Sequence, residues 1–251
     1  MDIKNILDKW HYDPYGFSVR LVEGIDGKEK IQIRLDLGLL QLELEGRPDG
    51  TKPHNKESLL DYYLEKIENA DNEGIEESDM ELSNEECELL RHEAIQYYHR
   101  YISLLELEKY RGVIKDTEHN LGILNLMSSY AEDKSDFMSY EQFRPYIIMI
   151  NTLARGRLAL EKDKDDTVMK IVDKGIGMIN EARETLDLQD SLYGFREIKF
   201  LEEWKTDISS DHPPSDLEKL ENKLARAVRG EKYESAARIR DEIHLMKKIK
   251  K

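Results

Sequence analysis

The chain has 251 residues, enough for one large domain or two modest ones with a real core. Charged residues make up 36% and hydrophobic residues 39%; the net charge of −15 disfavours nucleic-acid binding unless a local basic patch supplies it. A single cysteine, Cys87, excludes an internal disulfide and a Cys-rich zinc site and fits a reducing cytoplasm.

The opening stretch MDIKNILDKWHYDP does not read as a signal peptide, because it has no basic segment followed by an apolar core. The densest apolar run, residues 146–150, is too short to span a bilayer. Residues 17–45 alternate with period two. Ile31, Ile33, Leu35 and Leu37 oppose Gln32, Arg34 and Asp36, and after Gly38 the residues Leu40, Leu42 and Leu44 oppose Gln41, Glu43 and Glu45. With the turn signal GIDG and the terminator GRPDG, this predicts a three-stranded antiparallel meander with one apolar face. A sheet this small needs a cover. The expected cover is the helix begun by Ser58, with the stripe Leu59, Leu60, Tyr63, Leu64 and Ile67. Residues 69–81 read as an acidic loop.

From 83 to 205 the period is helical. Ser83 and Glu86 form a capping-box pattern ahead of Leu90, Ala94, Tyr97, Tyr98, Tyr101 and Leu105. A break near 109–111 precedes a second helix, and further helices are expected at about 139–161, 165–186 and 191–205. Arg144-Pro145-Tyr146 would mark a kink lining a groove. The stretch 105–124 echoes 158–179, each copy being a helix end, a turn and a second helix. That pattern resembles a tetratricopeptide-type hairpin, with an ordinary bundle as the alternative. Residues 206–216, with Pro213 and Pro214, read as a linker.

Residues 217–251 predict two helices. Leu217, Leu220, Leu224 and Val228 share a stripe, Gly230 stops the first helix, and a second begins near Glu231. Tyr233, Ala236, Ala237, Ile239, Ile243 and Met246 cover one arc of the second helix, with Arg240 and His244 projecting inside it and Asp241 at its edge. Such a hairpin has little core and completes its burial elsewhere. The paired alanines admit a close backbone. Arg240 then needs a carboxylate, from Glu218, Glu221 or another molecule.

The residues Tyr233-Glu234, Ala236-Ala237, Arg240-Asp241 and Ile243, preceded by the leucine stripe and Gly230, resemble the UVR motif. This is the short hairpin of the bacterial excision-repair proteins UvrB and UvrC, of some Clp-type ATPases and of the activator of bacterial protein-arginine kinase. The resemblance implies a protein-docking element of bacterial origin, with Tyr233, Glu234, Ala236, Ala237, Arg240, Asp241 and Ile243 as its partner-binding residues. The order of sheet, helical middle and hairpin is similar to that of uncharacterised bacterial UVR-motif proteins. The chain departs from UvrB in having no P-loop, from UvrC in having no room for nuclease domains, and from the kinase activator in having no CxxC pair.

Other chemistry is sparse. His92 and His99 share a helical face, and Asp116 with His119 has the i, i+3 spacing of carboxylate-bridged metal bundles, but only one such pair is present. Surface or hydrogen-bonded histidines are the expectation, with no metal and no cofactor. Glu85 and Glu86 raise the pKa of a neighbouring thiol, which argues against Cys87 as a nucleophile. Gly175-x-Gly177 has no preceding strand and is no dinucleotide loop. The tyrosines at 97, 98, 101 and 110 read as core packing rather than base-stacking platforms.

The expected class is therefore mainly α with a small N-terminal antiparallel sheet, a helical bundle or hairpin repeat, and a C-terminal UVR hairpin. The segments are 1–70 (sheet and covering helix), 83–205 (helical), 206–216 (linker) and 217–251 (hairpin). The expected function is a cytoplasmic, non-enzymatic adaptor that docks a protein partner through 217–247 or self-associates there, and docks a second through the helical middle. A nucleic-acid-associated accessory factor using the basic tail is the alternative; no membrane role is expected.

Overall fold

The computed structural model describes residues 3–73, 80–161, 165–186 and 192–209. The chain divides into two compact units, Met1–Glu203 and Trp204–Lys251.

After a short helix α1 (Lys4–Leu7), three strands run β1 (Val19–Glu23), β2 (Glu29–Leu35) and β3 (Gly38–Glu43), antiparallel in that order. Gly27, at φ +72°, turns the first hairpin, and Leu35 pairs Gly38 across the two-residue turn Asp36-Leu37. That turn takes Leu37 out of the sheet and leaves it exposed, as is Leu35, so the apolar alternation ends at Ile33. Register places Ile33 between Val19 and Leu40, and Ile31 between Leu21 and Leu42. All six side chains therefore share one face. The other face is a polar ladder. Gln32 accepts from Arg20 and donates to Gln41, while Lys30 is paired with Asp26 and Glu43. Trp10 stacks on the Arg20 guanidinium at 4.1 Å, and its carbonyl accepts from Arg34 Nε at 2.7 Å.

The helices are α2 (Leu59–Glu73), α3 (Asn84–Glu106), α4 (Tyr110–Tyr130), α5 (Lys134–Glu141), α6 (Arg144–Leu160), α7 (Asp165–Thr185) and α8 (Phe195–Ser209). The sequence-based reading has three differences here, the first being that residues 206–209, read as the start of the linker, are the last residues of α8. Residues 69–73, read as loop, continue α2, because Ala70 extends its buried stripe. The helix expected at 139–161 is two helices, since the chain breaks at Gln142-Phe143 and Pro145 sits in the first turn of α6, where no amide partner is needed. The capping box forms as predicted: Glu86 N donates to Ser83 Oγ, and Glu86 accepts from Ser83 N.

The cover of the sheet is not α2. Ile31, Ile33 and Leu42 pack with Tyr101 and Leu104 of α3, Tyr110 and Val113 of α4, and Ile150 and Ala154 of α6. Leu59, Leu60 and Tyr63 of α2 join a second cluster with Leu90 and Ala94 of α3 and Ile123 and Met127 of α4. The long α3–α4 hairpin thus carries the sheet at one end and α2 at the other. Glu108, at φ +56°, reverses the chain between its arms. Helix α4 also packs on α6, and α6 on α7. Gly175 makes the last contact close: a Cβ there would lie 2.8 Å from Thr152 Cγ2. This accounts structurally for the first glycine of the GxG pair.

Candidate functional site

Between the two apolar clusters the α3–α4 hairpin holds a polar layer. Its apolar stripe runs Leu90, Ala94, Tyr97, Tyr101, Leu104 at helical spacing, and Glu93 and Arg100 fall within it. On α4, Asp116 and Asn120 do the same. Arg100 Nε and Nη2 donate to the two Asp116 oxygens at 2.7 Å each, a fork that matches the carboxylate plane. Arg100 Nη1 donates to the carbonyls of Gly46 (2.7 Å) and Glu43 (3.2 Å), tying the end of β3 to the helices. Burial pulls the Arg100 pKa down, but the hydrogen bonds and charge of Asp116 outweigh it and leave it raised. At Asp116 burial pushes the carboxyl up and outweighs the opposing pull of Arg100. The fork geometry is that of an ionised pair.

Glu93, wholly buried, accepts from the amides of Leu59 (2.8 Å) and Leu60 (3.2 Å). These are orphan donors at the start of α2, so Glu93 caps α2 from a different helix, where the carboxylate also meets the positive end of the dipole. Arg47 Nε lies 3.0 Å from Glu93 Oε2 without hydrogen-bond alignment. His119 Nε2 lies 3.0 Å from Glu93 Oε1, and the His119 ring stacks on Tyr97 with centroids 3.6 Å apart. The Arg100 guanidinium lies 4.8 Å from the centre of the Tyr97 ring.

Asp116 and His119 therefore serve different partners, one Arg100 and the other Glu93. His92 is exposed and His99 half-buried. Among the described residues no group of three His, Cys, Asp or Glu side chains is placed to hold a metal ion. Cys87 is buried. Within the layer, Arg100 ties β3 to the hairpin and Glu93 ties α2 to it.

An aromatic groove of about 540 Å³ opens beside the layer, between α3, α4, α5 and the start of α6. Tyr101 and Ile147 form buried parts of its lining, and Ile95, Tyr98 and Phe143 form exposed ones. Tyr98 meets Tyr101 edge-on at 5.4 Å, and Tyr140 meets Phe143 edge-on at 5.6 Å. The helix break before Pro145 turns Phe143 and Tyr146 onto it, so the Arg144-Pro145-Tyr146 signal does mark a groove. Of the four tyrosines read as core, Tyr97, Tyr101 and Tyr110 are buried, while Tyr98 stands at the groove.

The residues read from sequence as partner-binding, Tyr233, Glu234, Ala236, Ala237, Arg240, Asp241 and Ile243, lie outside the described residues, as does the whole hairpin from 217 to 251. Comparison with protein families finds the UvrB/uvrC motif over residues 216–249. The chain carries a UVR motif. No curated protein and no solved structure matches the chain. The motif spans the stretch where the sequence pattern placed the hairpin. Among the described residues no helix is long and apolar enough to cross a membrane.

Proposed function

We propose that the chain is a non-enzymatic cytoplasmic adaptor that docks a protein partner through its UVR motif. The observation that carries this is the motif itself at 216–249, an interaction element in UvrB and UvrC. Its sequence has the parts docking requires: an alanine pair for close approach and an arginine, Arg240, on the otherwise apolar arc. The lone Cys87 and the missing P-loop separate the chain from the enzymatic and zinc-bearing proteins that share the motif. The helical body then acts as a scaffold. Its order of paired helices, α3 with α4 and α6 with α7, supports an array of hairpins with a second binding surface.

The test is co-purification from cells of the source organism, comparing the full chain with Arg240→Ala and with a chain ending before Pro213. The full chain retains a protein that both variants lose, while their thermal unfolding keeps the transition of the helical body. Retention of every partner by the shortened chain defeats the reading. Concentration-dependent dimerisation abolished by Arg240→Ala would instead identify a second copy as the partner.

One observation favours a nucleic-acid-associated role. From Pro213 onward there are eleven Lys and Arg against seven Asp and Glu, a net charge of +4 in a chain whose total is −15. A gel shift across a salt series decides it, since binding confined to low salt is non-specific attraction by the tail.

A further inference from the structure

We propose that the groove between α3, α4 and α6 binds a small, neutral, planar aromatic molecule carrying a hydrogen-bond donor, with Asn120 orienting it. Three observations lead there. The first is charge. In a chain with 36% charged residues, no Asp, Glu, Lys or Arg among the described residues lines the groove. Its titratable side chains are one histidine and phenols. Burial lowers the pKa of His99, and it raises those of Tyr101, Tyr140 and Tyr146, Tyr140 to about 12. These four shifts all favour the neutral side chain, and an ionic ligand would lose its hydration without a counter-charge.

The second is Asn120, 3% exposed and part of the groove lining. Its Nδ2 donates to the Ala94 carbonyl at 3.0 Å, and its Oδ1 has no hydrogen-bond partner. Flipping the amide would bring two carbonyl oxygens together, so the Ala94 contact fixes which atom is left over. A buried acceptor without a donor costs about 1–3 kcal/mol, which a ligand N–H or O–H would relieve.

The third is shape. A volume of about 540 Å³ lies within the range of small-molecule sites, roughly 300–1,000 Å³, where apolar walls and a few placed polar groups set orientation. The edge-on pairs Tyr98–Tyr101 and Tyr140–Phe143 offer ring faces and edges for an aromatic guest. A peptide backbone would bring a donor and an acceptor at every residue, whereas the buried polar atom left without a partner among the described lining residues is a single acceptor, Asn120 Oδ1. A small molecule with one donor is the better match.

Indole and its carbon isostere indene are the probes, titrated into the full chain by calorimetry and followed by saturation-transfer NMR. Indole is expected to saturate one site, and indene, lacking the N–H, to bind about tenfold more weakly. Asn120→Leu should bring the ratio of the two affinities close to one. Tyr98→Ala, at the exposed rim, should weaken both probes by a similar factor and keep the test open if Asn120→Leu does not fold. No saturable binding of either probe, equal affinity for both in the unaltered chain, or a ratio unchanged in folded Asn120→Leu overturns the proposal. Arg240→Ala should bind indole as the unaltered chain does, because this site is independent of docking through the UVR motif.

Discussion

Arg100 and Asp116 face each other across the α3–α4 hairpin, joined by two hydrogen bonds of 2.7 Å and each about 2% exposed at the side chain. Removing one partner leaves the other charge buried alone. Asp116→Ala and Arg100→Met should each destabilise the chain by about 3–5 kcal/mol in denaturant unfolding. The double variant Arg100→Met with Asp116→Leu should recover part of that loss. Recovery stays partial because the carbonyls of Glu43 and Gly46 also lose their donor.

Glu93 caps α2 from outside, so Glu93→Ala should act locally. Hydrogen exchange at the amides of Leu59 and Leu60 should accelerate by about tenfold or more, the scale of a lost charged hydrogen bond. Exchange in the centre of β2 should change less, since Ile31 and Ile33 belong to the other cluster.

The two glycines of the GxG pair should respond in opposite senses. Gly175→Ala forces a Cβ against Thr152 and should cost about 1–3 kcal/mol. Gly177→Ala meets nothing within 4 Å and should stabilise α7 by about 0.5–1 kcal/mol through helix propensity. Thermal unfolding of the two single variants checks both.

Burial lowers the pKa of His99 from 6.5. The unfolded chain then binds a proton more readily than the folded one. Stability from this residue is full above about pH 6.5 and declines as pH falls toward the folded-state value. His99→Gln should reduce the difference in melting temperature between about pH 7.5 and about pH 5.5. An unchanged difference would mean that other groups set the acid limit.

Local rules made the meander, the capping box and most of the helices legible, because alternation, a Ser–Glu spacing and a proline act within a few residues. The cover of the sheet was not legible. The stripe of α2 and the far end of the α3–α4 hairpin are both apolar, and sequence distance favours the wrong one. The polar layer left a readable trace, since Glu93 and Arg100 recur on the apolar face of α3. Periodicity identifies a face but not what lies opposite, so the pairings with Leu59, Leu60 and Asp116 needed the tertiary arrangement. The groove was foreshadowed by Arg144-Pro145-Tyr146, whereas Asn120 was not, because its unmatched oxygen depends on where Ala94 falls.

The layer between the two apolar clusters also sets the longitudinal alignment of α3 and α4. Apolar helix faces tolerate sliding, since one leucine can replace another a turn away. Moving α4 by one turn, about 5.4 Å, would carry Asp116 off Arg100 and His119 off Glu93 together, with Arg100, Asp116 and Glu93 enclosed in the core. The two contacts therefore work as a latch on helix position.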